Sequence, residues 1–335
     1  MYMKEQGVLQ TGKSSRLFFH ILLLFACWLT APVNAETSTA DVPSYEKTAN
    51  RKHVFIIHSA DNTLHTNIIG KITEKLKRDR PDIEVIQTTA QGVIKKFDTD
   101  TDLIIGIGAT GMESANTRYP KANKLFISTD PNKYRLDKSK NKSDAILYMT
   151  QSYCIQLGFI KLLNRDWSTV SILSSQKKPI DRKVIQQCAN NYDIKIYIVS
   201  TTAEDNVSSK IKHALHHSDV LLALPDSNIY NSSTVKNILL TSYRYRKPVI
   251  GFSKNFVTAG ALAAIYSDTE QIAQSACNLI ERYYNSGLRF KTAVNHPEKF
   301  NMDINRQVIK ALDLSISDVD TLRKSLEHDE AGLQQ

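Results

Sequence analysis

Gly106, Gly108 and Gly111 stand at G-x-G-x-x-G spacing in "DLIIGIGATGMESAN", where an apolar run from Leu103 to Ile107 meets the start of a helical stretch. Asp130 closes the next apolar run, 19 residues after Gly111. On spacing alone this is a dinucleotide-binding fingerprint, with glycines for close backbone approach and an acid for a ribose. Three features oppose NAD. The motif opens the third strand unit, whereas a pyrophosphate loop belongs to the first βαβ unit. No twin-arginine pair precedes the apolar export signal described below, so the chain is expected to leave the cytoplasm unfolded and without a cofactor. Pro131 follows Asp130 and makes a turn there, where the acid can hold a ligand's ammonium group or simply shape the loop. What remains is a helix start whose unpaired N–H groups suit a carboxylate as well as a pyrophosphate. No cofactor is expected.

Other residues of chemical potential divide quickly. His213, His216 and His217 form H-x-x-H-H on a helical segment, and positions 213 and 217 have the i, i+4 spacing of metal ligands. No third ligand is evident, and a solvated helix face explains them better. No Ser-His-Asp or Cys-His arrangement is visible, so the chain is expected not to be an enzyme. Beyond the leader, three cysteines remain at 154, 188 and 277, too few and too scattered for a disulfide framework. Each lies in a helical stretch, where a free Cys serves as a small buried apolar residue. A Cys154–Cys188 bridge is the alternative in an oxidising compartment.

The elements that must position these groups follow a rhythm. "HVFII", "IEVIQTT", "DLIIGIG", "KLFIST" and "AILYM" read as short strands separated by helical segments. In "HTNIIGKITEKLKRD", Ile68, Ile69, Ile72 and Leu76 share one helical face. The rhythm then repeats with "TVSILSS", "IKIYIVST", "DVLLALPD", "PVIGFS" and "ALAAIY". Near-continuous Ile, Leu and Val strands separated by helices predict parallel sheets covered on both faces. The fold class expected is α/β: two doubly wound parallel-sheet lobes joined by a multi-strand hinge. One lobe takes residues 53–150 plus about 268–290, the other 151–267 plus about 291–320, and 321–335 form a tail.

In such sheets ligands bind beyond the carboxyl ends of the strands. The loops there supply Ser59, Ala109, Thr110, Thr129 and Asp130 from the first half, and Gln176, Asp226, Asn228 and Phe256 from the second. They are rich in hydroxyls and amides. Two lobes that each present such loops make a clamp for a small polar solute. Asp61 and Asn62 are read as a helix cap.

The chain has 335 residues and a formal charge of +9. Lys4, Lys13 and Arg16 precede the apolar core "LFFHILLLFACWL", and "APVNA" offers small residues at Val33 and Ala35. This is a secretory signal peptide over 1–35, followed by a polar leader over 36–52. Removing 35 residues from 335 leaves 300, which suits two linked lobes. Lipid attachment at Cys27 is disfavoured by bulky Phe25 just upstream. The basic residues form no stripe interleaved with aromatics, so no nucleic-acid partner is expected.

The order "DLIIGIGATGMESA", "LFISTDPNKYRL", "LALPDSNIYN", "KPVIGFSKNFVTAGALAAIYSD" and "FNMDINRQVIKALDLSI" resembles the solute-binding components of ABC transporters. These are periplasmic binding proteins of type I fold, in the branch that includes aromatic amino-acid binders. The resemblance spans about residues 53–320. Gly260 to Ala263 match the family's G-A-L-A segment, and Ile304-Asn305 with Ala311-Leu312 and Leu314 match its ending. It implies a monomer in the periplasm that grips a small-molecule solute and docks on an inner-membrane ABC permease. A periplasmic sensor reporting to a membrane receptor or kinase is the alternative. The same resemblance implies Ala109 and Thr110 for a ligand carboxylate, and Asp226 and Asn228 for a ligand amine or amide. Where the family reads P-T-D-N this chain has Pro225-Asp226-Ser227-Asn228, and Lys254 replaces an acid common after "PVIG".

Overall fold

The computed structural model describes residues 51–59, 62–94, 97–128, 143–202 and 205–333, with the side chains of 327–333 excepted. The expected signal peptide, the expected polar leader up to residue 50, Thr129 and Asp130 lie outside the described residues. Seven elements come first: β1 (Lys52–His58), α1 (Thr63–Asp79), β2 (Ile83–Thr89), β3 (Leu103–Ile107), α2 (Gly108–Arg118), β4 (Asn123–Ser128) and β5 (Ala145–Tyr148). The strands pair in parallel in the order β2-β1-β3-β4-β5. β1 is buried at its five central residues, so its side chains serve two cores. Val54 and Ile56 meet the stripe Ile68, Ile69, Ile72 and Leu76 of α1 on one face. Phe55 and Ile57 meet Met112 and Ala115 of α2 on the other. Each such side chain withdrawn from water contributes roughly 1.5–3 kcal/mol.

The chain then builds a second lobe. It runs through α3 (Tyr153–Leu163), β6 (Thr169–Ser175), α4 (Arg182–Asn190), β7 (Lys195–Thr201), α5 (Val207–His216), β8 (Val220–Leu222) and α6 (Val235–Arg244). It continues through β9 (Val249–Gly251), α7 (Lys254–Thr258) and β10 (Ala263–Tyr266). Then α8 (Thr269–Asn285) returns to the first lobe, where Ala273, Ala276, Cys277 and Ile280 pack in the core shared with α1. β11 (Val294–Asn295) adds to the first sheet beside β5, and β12 (Asn301–Ile304) pairs antiparallel with β10. The second sheet reads β7-β6-β8-β9-β10-β12, parallel except for that edge. α9 (Arg306–Leu312) and α10 (Val319–Leu333) finish the chain. The two doubly wound α/β lobes match the expected fold class.

Three boundaries differ from the sequence reading. β1 begins at Lys52, inside the expected leader. Val294 and Asn295 belong to the first sheet, although residues from about 291 were assigned to the second lobe. Residues 321–335 are not simply a tail, because α10 lays Leu322 and Leu326 into the second lobe's core at 3 % and 0 % exposure. The cysteines also depart from expectation. Cys154, in the first turn of α3, is bonded to Cys188, in the last turn of α4, with Cα atoms 4.7 Å apart. Neighbouring helices bring together two positions that are 34 residues apart in sequence. Cys277 is free, and burial pushes its thiol up to about 12.

Three segments carry the chain between lobes, at residues 149–152, 267–268 and 296–300. Gln151, 2 % exposed, touches all of them. Its Nε2 donates to Ser267 Oγ at 2.6 Å and to the carbonyls of Pro297 and Lys299 at 3.3 and 3.4 Å. Ser267 in turn donates to the Lys299 carbonyl at 2.8 Å, and His296 Nδ1 donates to the Thr150 carbonyl at 2.8 Å.

Two outcomes follow. Gln151→Ala removes the donor to the buried Pro297 carbonyl and to two partly buried acceptors, and should cost about 1–3 kcal/mol in urea unfolding; an unchanged midpoint would show that the crossings hold without this amide. Opening the 34-residue loop by Cys154→Ala with Cys188→Ala should cost about 3–4 kcal/mol on the chain-entropy account. Dithiothreitol should lower the wild-type melting temperature and leave the double variant unmoved.

Candidate functional site

The carboxyl ends of both sheets open on one cleft of about 780 Å³. On the first lobe's wall lie Ser59 after β1, Asn62 and His65 at the start of α1, and Ala109 and Thr110 at the start of α2. The glycine motif is explained by packing there. Gly108 takes φ +68°, and a Cβ at that position would lie 2.3 Å from the His65 ring. A Cβ at Gly111 would lie 2.3 Å from the Ile57 carbonyl oxygen, so this glycine lets α2 sit directly on β1. α2 begins at N-cap Ile107 with no side-chain cap and no acidic residue in its first turn. Its first N–H groups are thus left to whatever enters the cleft. α1 is capped differently, with Asn62 Oδ1 accepting from the His65 N–H at 3.1 Å.

On the second lobe's wall, Asp226 organises the loop after β8. Its carboxylate accepts from the Ser175 N–H at 3.2 Å, and from the N–H and Nδ2 of Asn228 at 3.0 and 2.9 Å. Its backbone carbonyl accepts from the N–H groups of Ile229 and Tyr230 at 3.0 and 2.7 Å. Burial pushes the carboxyl up, but hydrogen bonds from Ser175 and Asn228 outweigh it and hold its pKa below 3.8. Asp226 is therefore an ionised anchor that fixes Asn228 and Tyr230 toward the cleft. Lys177 and Lys178 line the same wall, and Lys178 Nζ donates to the Pro225 carbonyl.

Of the residues expected to bind ligand, Ser59, Ala109, Thr110, Asp226 and Asn228 come together on the two walls. Thr129 and Asp130 lie outside the described residues. Gln176 does not line the cleft: its N–H donates to the Thr201 carbonyl at 3.1 Å, which prolongs the β6–β7 pairing and leaves the residue exposed. Phe256 is 6 % exposed in the core, lodged against Gly251. Its neighbours Tyr230 and Phe252, at centroid distances of 5.6 and 4.8 Å, reach the cleft instead. Sequence reading passed over both of them, and over Asn62 and His65 as wall residues. Tyr153 lines a small apolar recess that adjoins the cleft beside Pro225 and Asp226. The histidines of α5 pack around Tyr197, with Tyr197 Oη and His213 Nε2 at 2.7 Å. Among the described residues no group of three or more His, Cys, Asp or Glu is placed to hold a metal.

A crevice between two hinged α/β lobes, walled by strand-end loops, defines a small-molecule binding protein of the periplasmic-receptor type. Residues 71–325 match the model for ABC transporter substrate binding protein, and the chain belongs to that family. The family consists of binding proteins, not enzymes, and is typically periplasmic. Solved structures agree on the fold. A ligand-free, open substrate-binding protein with adhesive properties from Clostridium difficile is 16 % identical. That match covers 80 % of this chain and 97 % of that one at a TM-score of 0.57. A Streptococcus pneumoniae ABC domain in complex with L-Trp is 14 % identical, covering 81 % and 98 % at 0.55. A conserved domain protein from Vibrio cholerae is 16 % identical, covering 80 % and 96 % at 0.53. No curated protein matches the chain. No described helix is long and apolar enough to cross a membrane.

Because Asp226 is ionised in the folded state at an acid-shifted pKa, its contribution is present above pH 3.8 and fades as pH falls through the lowered native value. Asp226→Ala should therefore cost about 1–3 kcal/mol at neutral pH. The gap from wild type should narrow in acid, as measured by urea unfolding at stepped pH. A gap independent of pH would remove the carboxylate from this role.

Proposed function

We propose that this chain is the exported receptor of an ABC importer. It captures a small polar solute, an amino acid or a similar compound, between closing lobes and delivers it to an inner-membrane permease. The observation that carries this reading is the pairing of walls. An uncapped helix start at Ala109 and Thr110 faces a loop held rigid by Asp226, across one crevice spanned by the Gln151 hinge. The helix start suits a carboxylate, since orphan N–H groups and the helix dipole both favour an anion. Asn228 and Ser227 supply neutral donors and acceptors for the remainder of the solute. The family to which the chain belongs supports the permease as partner. The signal-peptide pattern over residues 1–35 supports export by the general route into the periplasm.

Closure signals occupancy only if the solute prefers the closed form. A preference of about 3–5 kcal/mol turns a mostly open population mostly closed. The test uses residues 36–335 in thermal-shift screening against amino acids, purines, short peptides and sugars, followed by small-angle scattering. A binder should raise the melting temperature by several degrees and shrink the radius of gyration. A panel in which nothing binds would refute the receptor reading.

A further inference from the structure

Among the described residues, three buried side-chain polar atoms lack any hydrogen-bond partner: Gln151 Oε1, His65 Nδ1 and Tyr230 Oη. The first belongs to the hinge. The other two belong to residues that line the same cleft, one on each lobe.

Both are held where they are. The Tyr230 ring is 7 % exposed and packs edge-on against Phe252 and Phe256, with interplanar angles of 68° and 76°. Its backbone N–H is fixed at 2.7 Å on the Asp226 carbonyl. His65 sits in the first turn of α1, and its ring lies against Gly108 at the uncapped start of α2. Burial, then the neighbouring His58, lowers the His65 pKa below 6.5, so its ring is neutral and offers a donor or an acceptor at Nδ1. Burial, then the Asp226 charge, raises the Tyr230 pKa, so its hydroxyl stays protonated and able to donate. A buried hydroxyl without a partner is a standing loss in the empty protein. Such a loss is retained where a ligand removes it.

We infer that Tyr230 and His65 are the specificity-determining contacts of the cleft, and that its solute is a small carboxylate with a hydroxyl or amide at the far end. This rests on the receptor reading above. The carboxylate end lies at the α2 start under His65, and the far end meets the Tyr230 hydroxyl on the opposite wall. An aliphatic end leaves that hydroxyl unpaired, so the site rejects the analogue that lacks the polar group. Because the two atoms stand on different lobes, a solute that satisfies both favours the closed form, which is the differential that closure requires.

The test compares wild type with Tyr230→Phe and His65→Phe in two ways. Without ligand, Tyr230→Phe should melt at or above the wild-type temperature, since only an unpaired hydroxyl is lost. A clear drop would mean the hydroxyl is satisfied in the empty protein and would overturn the inference whatever binds. With ligand, calorimetry uses matched probes: L-tyrosine against L-phenylalanine, L-threonine against L-valine, and L-asparagine against L-leucine. Wild type should prefer the polar member of at least one pair by about tenfold or more. Tyr230→Phe should reduce that ratio below about threefold, and His65→Phe should weaken both members of the pair. Equal binding within every pair, or a ratio unmoved in Tyr230→Phe, overturns this inference and leaves the receptor reading intact. If all six probes fail while a sugar or purine binds, the carboxylate class is overturned. If nothing binds at all, the receptor reading fails with it.

Discussion

Gln151 ties together the three strands of chain that run between the lobes, and the function depends on how that tie is made. Its amide nitrogen reaches a hydroxyl on one crossing and two carbonyls on another, while its own backbone carbonyl accepts from Gln156 Nε2 at 2.8 Å. Each crossing is thereby fixed relative to the first turn of α3. The bonds are to backbone carbonyls and one small hydroxyl, and these can swing together about a common point. The amide oxygen is buried and finds no partner among the described residues. Two stiff bodies joined at one compact pivot are what a clamp needs.

The stiffness of each body has a separate origin. In the first lobe, α1 and α8 share a core although they are far apart in sequence, and Lys71 and Lys75 of α1 reach Glu270 of α8 at 2.8 and 2.6 Å. The ammonium groups hold Glu270 at about 2, well below the usual carboxylate range, though so exposed a pair adds little to stability. In the second lobe the covalent tie Cys154–Cys188 joins the helix that leaves the hinge to the helix that follows the Lys177–Pro179 wall. The bridge thus lies between pivot and binding wall. A covalent bond there opposes sliding of α3 against α4.

Much of this was legible in the sequence because it rests on periodicity. The α1 stripe emerged as read, residue for residue, since burial on one helical face leaves a 3.6-residue signature. The ten strands of the two parallel runs were nearly as plain, because a sheet covered on both faces is mostly apolar, whereas the short edge strands β11 and β12 left no such run. The site was legible only where chemistry is local. Ala109 and Thr110 follow from a strand running into a glycine turn, and Asp226 and Asn228 from their place at a strand end. Phe256 and Tyr230 could not be told apart by sequence. Which ring is core and which is wall depends on the gap left by Gly251, a feature of three-dimensional packing. Gln176 shows the same limit: one extra backbone bond to Thr201 prolongs the strand pairing and carries the residue away from the cleft. The Cys154–Cys188 bridge could be named only as an alternative for a similar reason, since nothing in the spacing of the two records that α3 and α4 are neighbours.

The glycine motif joins these strands of reasoning. Its spacing matches a nucleotide fingerprint because both uses obey one constraint, a helix that must start flush against the strand before it. Here Gly111 brings α2 onto β1, Gly108 turns the chain through φ +68° beneath His65, and the helix begins without a side-chain cap. N–H groups at such a helix start favour negative charge and by themselves carry little finer selectivity. On the proposed reading discrimination comes from the opposite wall, where Asp226 directs its charge to its own loop and leaves Asn228 and Tyr230 at the cleft. A clamp whose first wall reads charge and whose second reads hydrogen-bonding pattern gains little from a molecule that satisfies only one. That division of labour is the physical reason for placing the site between two bodies and not within either.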